Sequence, residues 1–359
     1  MKQIAIIGLG LMGGSFALAV KRFSPKTKVV GIDRSKRAIQ ESLSRHAIDS
    51  GTTNLQAGVR HAELVILALP VGGILKLLGE LRPLIQPETI VTDMGSTKAE
   101  ICGEAKKRLP NHFVGGHPMT GSEVQGIKGA DPFLFENALY LLTPLKIKDK
   151  NAQRLSAFLR KLGASPILIA PEAHDRITAR VSHLPQVLAV ALTQLVQSHS
   201  GKEPLHRELA AGGFRDMTRI AASAYGMWHD ILETNAPKIR ESIDEVIQIL
   251  QSMKKNLGKS SVKNAFEKAG TFRRNLPMRG KGFMNRLHRI VVTVQDQKGT
   301  LAEITGAIAK EKINISDIEL MKVREGVGGT FQLYFASGDE AMQAMKRLQS
   351  IGYETRMMD

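Results

Sequence analysis

Over the first 145 residues or so, apolar positions cluster in short runs. Residues 4–9 (IAIIGL), 28–33 (KVVGID), 64–69 (LVILAL), 89–94 (TIVTDM), 112–116 (HFVGG) and 138–143 (ALYLLT) each read as a strand. Helical patterns lie between most of them, the first from about residue 12 to 21. Strands that alternate with helices predict a parallel sheet covered on both faces, hence an α/β fold. From about residue 172 to 255 strand signals vanish. There Ile243, Val246, Ile247, Leu250 and Met253 recur at helical spacing, and such helices pack together, often across a dimer. The final stretch is mixed again. RIVVTVQ reads as a strand, TLAEITGAIAKEK as a helix, INISDIEL and TFQLYFA as strands, DEAMQAMKRLQ as a helix and YETRMM as a strand. That βαββαβ order is ferredoxin-like. The expected boundaries are 1–171, 172–256, a basic linker over 257–287, and 288–359.

A length of 359 residues agrees with several domains, at roughly 100–200 residues each. With 43% hydrophobic and 23% charged residues, the composition is that of a globular protein, not a disordered or fibrous one. The apolar runs are strand-sized, short of the ~18–20 residues needed to cross a bilayer, so no membrane span is expected. The N-terminus lacks a small-residue cleavage site, and the reading is of no signal peptide. A single cysteine, Cys102, excludes a disulfide framework and a cysteine-rich zinc site, and a cytoplasmic setting is expected. The net charge of +16 suggests a nucleic-acid partner until it is located. Residues 254–289 hold 11 Lys and Arg against Glu267, so they carry +10 and leave +6 elsewhere. No nucleic-acid-binding signature accompanies them, and a solvated linker or an electrostatic funnel for anionic substrates explains them better.

Gly8-Leu9-Gly10-Leu11-Met12-Gly13 has the form GxGxxG. It follows a strand and opens a helix, the context in which the motif cradles a pyrophosphate. Asp33 ends the next strand, where a carboxylate accepts hydrogen bonds from ribose hydroxyls and repels a 2′-phosphate. This favours NAD over NADP, although the adjacent Arg34 could hold that phosphate. Leu69-Pro70-Val71 and Asp93-Met94-Gly95-Ser96 end later strands at the carboxyl edge, where ligands bind in such sheets.

The string GGHPMTGSE places His117 after a strand and before Pro118, which pushes it into an extended conformation over the sheet edge. A histidine there suits the base for a hydroxyl beside a nicotinamide, although an isolated histidine is as often structural. Arg215 and Arg219, four apart in GGFRDMTRIA, suit a dicarboxylate or a surface network with Asp216. The lone Trp228 reads as core or as a substrate wall.

Taken in order, GLGLMGGS, the Asp33 strand end, DMGSTK, GGHPMTGSE, HDRITARVSHLP, GGFRDMTRIA and MWHDI resemble the prephenate dehydrogenase family, with its arogenate and cyclohexadienyl relatives. The resemblance covers roughly residues 1–255, and the last 71 or so resemble an ACT domain. It implies a Rossmann-like NAD-binding domain, an all-α helical dimerisation domain and an amino-acid-sensing module. It implies oxidative decarboxylation of prephenate, or of arogenate, in tyrosine biosynthesis by a homodimer, with no metal. On the matching positions, it implies His117 as the base and Ser96 as the group that orients it. Arg219 would grip a carboxylate, with Arg215 and Trp228 nearby, and Ser122 and Glu123 would lie near the pyruvyl side. His174 and Asp175 match a family string with a structural or gating part. Gln186 departs from the family's SHLPH, where a histidine recognises the substrate side chain and tyrosine. That moves the expectation of tyrosine feedback to the ACT module, at Asp296, Gly299 and Asn314, the last read as the start of its second strand. Three rivals fit less well. A phosphoglycerate dehydrogenase carries its glycine fingerprint deep in the chain, a β-hydroxyacid dehydrogenase uses a lysine and lacks GGHPMTG, and an NAD-sensing DNA-binding regulator would show no turnover.

Overall fold

The computed structural model describes the chain except residues 122, 123, 125, 147, 202, 204, 277–286, 296, 325–327 and 359, and except the side chains of 321–324. The chain divides into two compact units, Met1–Val262 and Lys263–Asp359.

The first unit is built on an eight-stranded sheet. Its strands are β1 (Gln3–Ile7), β2 (Lys28–Ile32), β3 (Ser50–Thr52), β4 (Leu64–Leu67), β5 (Ile90–Asp93), β6 (Phe113–Pro118), β7 (Leu139–Pro144) and β8 (Ser165–Leu168), in the spatial order β3-β2-β1-β4-β5-β6-β7-β8. Alternation along each strand explains the uninterrupted apolar runs. Ile4, Ile6, Leu64 and Ile66 face one core, while Ala5, Ile7, Val65 and Leu67 face the other. The first core packs α1 (Leu11–Phe23), through Phe16 and Val20, and α6 (Lys150–Lys161), through Leu155 and Leu159. The second packs α4 (Val71–Leu81), through Ile74 and Leu78, and α5 (Ala99–Arg108), through Ile101 and Cys102. The short helices α2 (Lys36–Ser44) and α3 (Leu55–Val59) flank β2 and β3.

The sheet departs from the all-parallel expectation at one place: β7 runs antiparallel to β6. The described residues of the connection between them hold a single 3-10 turn (Ile127–Gly129) and no crossover helix, so the chain returns alongside. Two strands, β3 and β8, were not expected. Both lie at sheet edges, where little apolar signal is needed: β3 reads SGT, and β8 carries Pro166 with Ile167 and Leu168 exposed.

The remainder of this unit is helical: α7 (Pro171–Thr178), a π-helical stretch (Ala179–His183), α8 (Leu184–Ser200), α9 (Leu205–Glu208), α10 (Gly212–Thr218), a 3-10 turn (Arg219–Ala222), α11 (Tyr225–Thr234) and α12 (Ala236–Lys255). Pro185 lacks the N–H that an α-helical bond back to Val181 needs, which accounts for the wide turn before it. The α12 stripe is only partly covered by the described residues: Ile243, Val246 and Met253 are half-buried, and Ile247 and Leu250 are exposed. No described helix is long and apolar enough to cross a membrane.

Helix α13 (Ser260–Asn275) occupies much of the segment expected to be a linker and crosses the division between the units. Beyond it, β9 (His288–Val294), α14 (Thr300–Lys310), β10 (Asp317–Arg324), β11 (Gly328–Phe335), α15 (Gly338–Ser350) and β12 (Glu354–Met358) realise the βαββαβ order. Their antiparallel sheet runs β10-β11-β9-β12 over a core of Ile290, Val292, Ile304, Leu333, Phe335 and Leu348. Gly299 takes the left-handed φ of +93° before α14. Asn314 is exposed and stands three residues before β10 instead of opening it, because pairing with β11 begins only at Asp317. Asp296 lies outside the described residues.

Ile66 is wholly buried at the centre of the large sheet. Ile66→Ala should therefore lower the unfolding free energy of the first unit by about 2–5 kcal/mol, read from the urea midpoint at unchanged m-value.

Candidate active site

The site is built from the carboxyl edge inward. Asp93 ends β5 with no exposed surface. Its Oδ1 accepts from the Gly116 N–H at 2.9 Å, and its Oδ2 accepts from the Gly95 N–H at 2.8 Å. The same Oδ2 forms an ion pair with Lys98 Nζ, which donates in turn to the Gly116 carbonyl at 2.8 Å. Both polar groups of Gly116 are therefore held by this buried pair. Side chains are excluded at position 116, since a Cβ there would lie 2.5 Å from the Asp93 carbonyl oxygen. The next residue is His117.

Asp175, on α7, reaches the same place from the helical half. Its carboxylate accepts from the backbone N–H groups of Lys98 and Ala99 at 2.7 and 2.8 Å, at the start of α5. It also accepts from His174 Nδ1 at 2.7 Å. That bond leaves His174 Nε2 as an acceptor, and His117 Nδ1 lies 2.8 Å from it. His117 therefore donates from Nδ1 and carries its lone pair on Nε2. The chain Asp175–His174–His117 thus fixes the tautomer of a half-buried histidine, which lies within β6 and not after it, because the ladder with β7 continues through Pro118.

Burial, and then the repulsion a proton there would meet from His174, Lys98 and His183, hold the His117 imidazole well below its usual pKa. Burial also lowers His174, against the opposing pull of Asp175. His183 is pushed down to about 4, chiefly by burial. Asn235, after α11, donates to the Asp175 carbonyl at 2.9 Å and to His183 Nδ1 at 3.1 Å, and Trp228 meets the His183 ring edge-on at 6.1 Å.

The dinucleotide turn stands on the same sheet edge. Gly13 and Gly8 touch so closely that a Cβ on Gly13 would lie 1.9 Å from the Gly8 carbonyl oxygen. No side chain caps the N-terminus of α1, and around Gly10 there is open space within 4 Å of a Cβ. Backbone N–H groups are thus free to receive a pyrophosphate. The Asp33 carboxylate accepts from Leu9 N and Ser35 N, both at 2.8 Å, and retains lone pairs for two ribose hydroxyls. Arg34 is exposed beside it. These residues fit NAD.

Of the other expected residues, Ser96 is half-buried just before α5. Leu11 and Met12 are half-buried in the first turn of α1. Leu69 and Pro70 remain accessible, whereas Val71 is packed into the core and Gly95 is buried. Arg215 and Arg219 are exposed, and Arg215 donates to the Ala210 carbonyl. Ser122 and Glu123 lie outside the described residues. The structure adds Lys98 and Asn235, and it gives Asp93, read from the sequence only as part of the ligand-binding edge, its place in an ion pair. Only a lysine inside DMGSTK signalled the first.

A largely parallel nucleotide sheet with a tautomer-fixed histidine at its carboxyl edge, joined to a helical half, points to a dehydrogenase. Residues 16–168 match the family described as prephenate dehydrogenase, nucleotide-binding domain, residues 170–269 the prephenate dehydrogenase dimerization domain, and residues 288–351 the ACT domain. The chain is 38% identical to the prephenate dehydrogenase of Bacillus subtilis over 99% of its own length and 98% of that protein. It is 31% identical to the prephenate dehydrogenase of Lactococcus lactis over 97% and 98%. It superimposes on the prephenate dehydrogenase of Aquifex aeolicus, solved with hydroxyphenyl propionate and NAD+, with a TM-score of 0.69. The two are 30% identical over 77% of this chain and 96% of that one. The chain belongs to the prephenate dehydrogenase family and is an NAD-dependent oxidoreductase.

Two results are expected from this geometry. Because His117 stays neutral below its ordinary pKa, kcat/KM should hold through pH 6.5 and fall only at lower pH. An acid limb centred at 6.5 would contradict the burial. Lys98→Met strands the Asp93 charge, and breaking a buried pair costs about 3–5 kcal/mol, measurable as a lowered urea midpoint.

Proposed function

We propose that this enzyme converts prephenate to 4-hydroxyphenylpyruvate and carbon dioxide as a homodimer, with an amino acid acting through its ACT module. The observation that carries the reaction is the Asp175–His174–His117 chain, which leaves a basic Nε2 at the same sheet edge that carries the dinucleotide turn. NAD+, when bound, supplies the hydride acceptor. His117 Nε2 takes the ring hydroxyl proton as the carbon beneath is oxidised, and Asp175 stabilises the resulting charge through His174. The ring carboxylate leaves as carbon dioxide, the ring aromatises, and the phenolic oxygen regains a proton. Ser96, two residues before Lys98, orients the hydroxyl. Arg219 meets a substrate carboxylate, with Arg215, Trp228, Ser122 and Glu123 around the side chain.

One observation favours arogenate as a second reading. Gln186 is 6% exposed and its Oε1 has no hydrogen-bond partner among the described residues, so it could accept from an ammonium group. Offering prephenate and then arogenate to the purified enzyme with NAD, and following the reduced cofactor by absorbance, decides between them.

The partly exposed α12 stripe and the dimerization-domain match support a homodimer. The Gly299 turn before α14, with Asn314 and Asp296, is where the module would take an amino acid, and tyrosine is the expected effector. A chain ending at residue 284 should keep turnover and lose most tyrosine sensitivity; equal, competitive inhibition of both chains would return the sensor to the active site.

His117→Asn should lower turnover ~10²–10⁴-fold with NAD affinity little changed, as for loss of a general base. Near wild-type turnover would remove His117 from the mechanism. Asp33→Ala should narrow the preference for NAD over NADP in the same assay.

A further inference from the structure

Two helices that leave the carboxyl edge lack caps of their own. Helix α4 begins after Pro70 and α5 after Lys98, and neither residue contributes a capping side chain. Both N-termini are instead met by carboxylates from the helical half. Asp175 meets α5, as described. Asp230, on α11, accepts the Gly72 N–H through Oδ2 at 2.8 Å, across 158 residues of sequence. The Gly72 bond, and then His229, hold the Asp230 carboxyl below the usual carboxylate range, so it is ionised at neutral pH. A carboxylate on first-turn N–H groups is favoured by both hydrogen bonding and the helix dipole.

The loop that opens α4 is also a wall of the dinucleotide turn. A Cβ on Gly8 would lie 2.3 Å from the Ala68 carbonyl oxygen and 2.9 Å from Leu69 Cδ2, and one on Gly13 would lie 3.0 Å from Ala68 Cβ. The placement of α4 therefore sets the placement of that turn. On the other side, Asp230 stands two residues from Trp228, which faces His183. A second tie lies one turn further along α11, where the Thr234 and Thr97 hydroxyls are 2.8 Å apart.

We propose that Asp230 is a positioning residue for the known reaction: by capping α4 from the helical half, it seats the Ala68–Pro70 wall against the glycine turn and so sets dinucleotide affinity. The assignment rests on the dinucleotide reading of that turn and on no assumption about the carbon substrate.

The test is NAD binding, followed by the fluorescence of Trp228, the chain's one tryptophan, together with steady-state kinetics and melting temperature. Asp230→Ala should weaken NAD binding and raise its KM about tenfold, the usual scale for losing a charged cap, with kcat within about twofold. Asp230→Asn keeps an acceptor oxygen for the Gly72 N–H and should restore binding to within about threefold, because Asn caps as well as Asp. Gly72→Pro removes the donor and should reproduce the Asp230→Ala defect, with the melting temperature reporting the strain it places on Val71. Thr234→Val cuts the neighbouring tie and should leave NAD binding within about twofold. Wild-type affinity in both Asp230→Ala and Gly72→Pro would overturn the proposal. So would failure of Asp230→Asn to rescue, or an equal loss in Thr234→Val, which would assign the effect to α11 as a whole. If wild-type protein itself binds no NAD, the dinucleotide reading fails instead, and the two failures are distinct.

Discussion

Everything at this active site hangs on one ion pair shut away from water, Asp93 with Lys98. Desolvating two charges is costly and is repaid only where geometry and further hydrogen bonds are good. Here they are. Asp93 fastens the Gly116 N–H and Lys98 the Gly116 carbonyl, so the peptide before the base has no freedom to turn. The Lys98 backbone N–H binds Asp175, which orients His174, which orients His117. One residue thus fixes the base twice, through its main chain on one route and its ammonium on the other. The charge has a further effect. A cation beside two buried imidazoles disfavours their protonation, which keeps the base ready.

A second theme is how the two halves of the first unit find their relative position. Helix N-termini at the edge of a nucleotide-binding sheet usually point at ligand. In this protein those of α4 and α5 point at aspartates of the helical half, while that of α1 stays uncapped for pyrophosphate. The division of labour is economical in physical terms. The same unsatisfied N–H groups serve as docking points in two helices and as an anion site in the third.

Much of this was legible in the sequence, and what was not has a common cause. Apolar runs announced β1, β2, β4, β5, β6 and β7, because strands buried on both faces need them. The glycine string, Asp33 and His117 announced themselves by order and neighbours. The edge strands β3 and β8 carry no such run. The reversal at β7 depends on how a 20-residue return packs, which no local pattern encodes. Among site residues, Lys98 stands inside a quoted string without any sign of its work, and Asp175 reads only as structural or gating. Their partners are 18 and 77 residues away, and only the register of β5 against β6 and the docking of α7 bring them together. Asp230 is the extreme case, since its partner is a backbone N–H, and a backbone atom leaves no mark on a sequence.

The one cysteine acquires a use from where it sits. Cys102 lies one turn into α5, buried against Thr143, with its thiol pushed up to about 12 by desolvation. Such a sulfur is inert as long as α5 lies on the sheet, and it becomes an ordinary reactive thiol once the helix lifts away. Because α5 begins directly after Lys98, that lifting also pulls on the ion pair that holds the site. The rate at which a thiol reagent labels the native chain is therefore a clock for the opening of the active site, readable with ligands present and with no turnover at all.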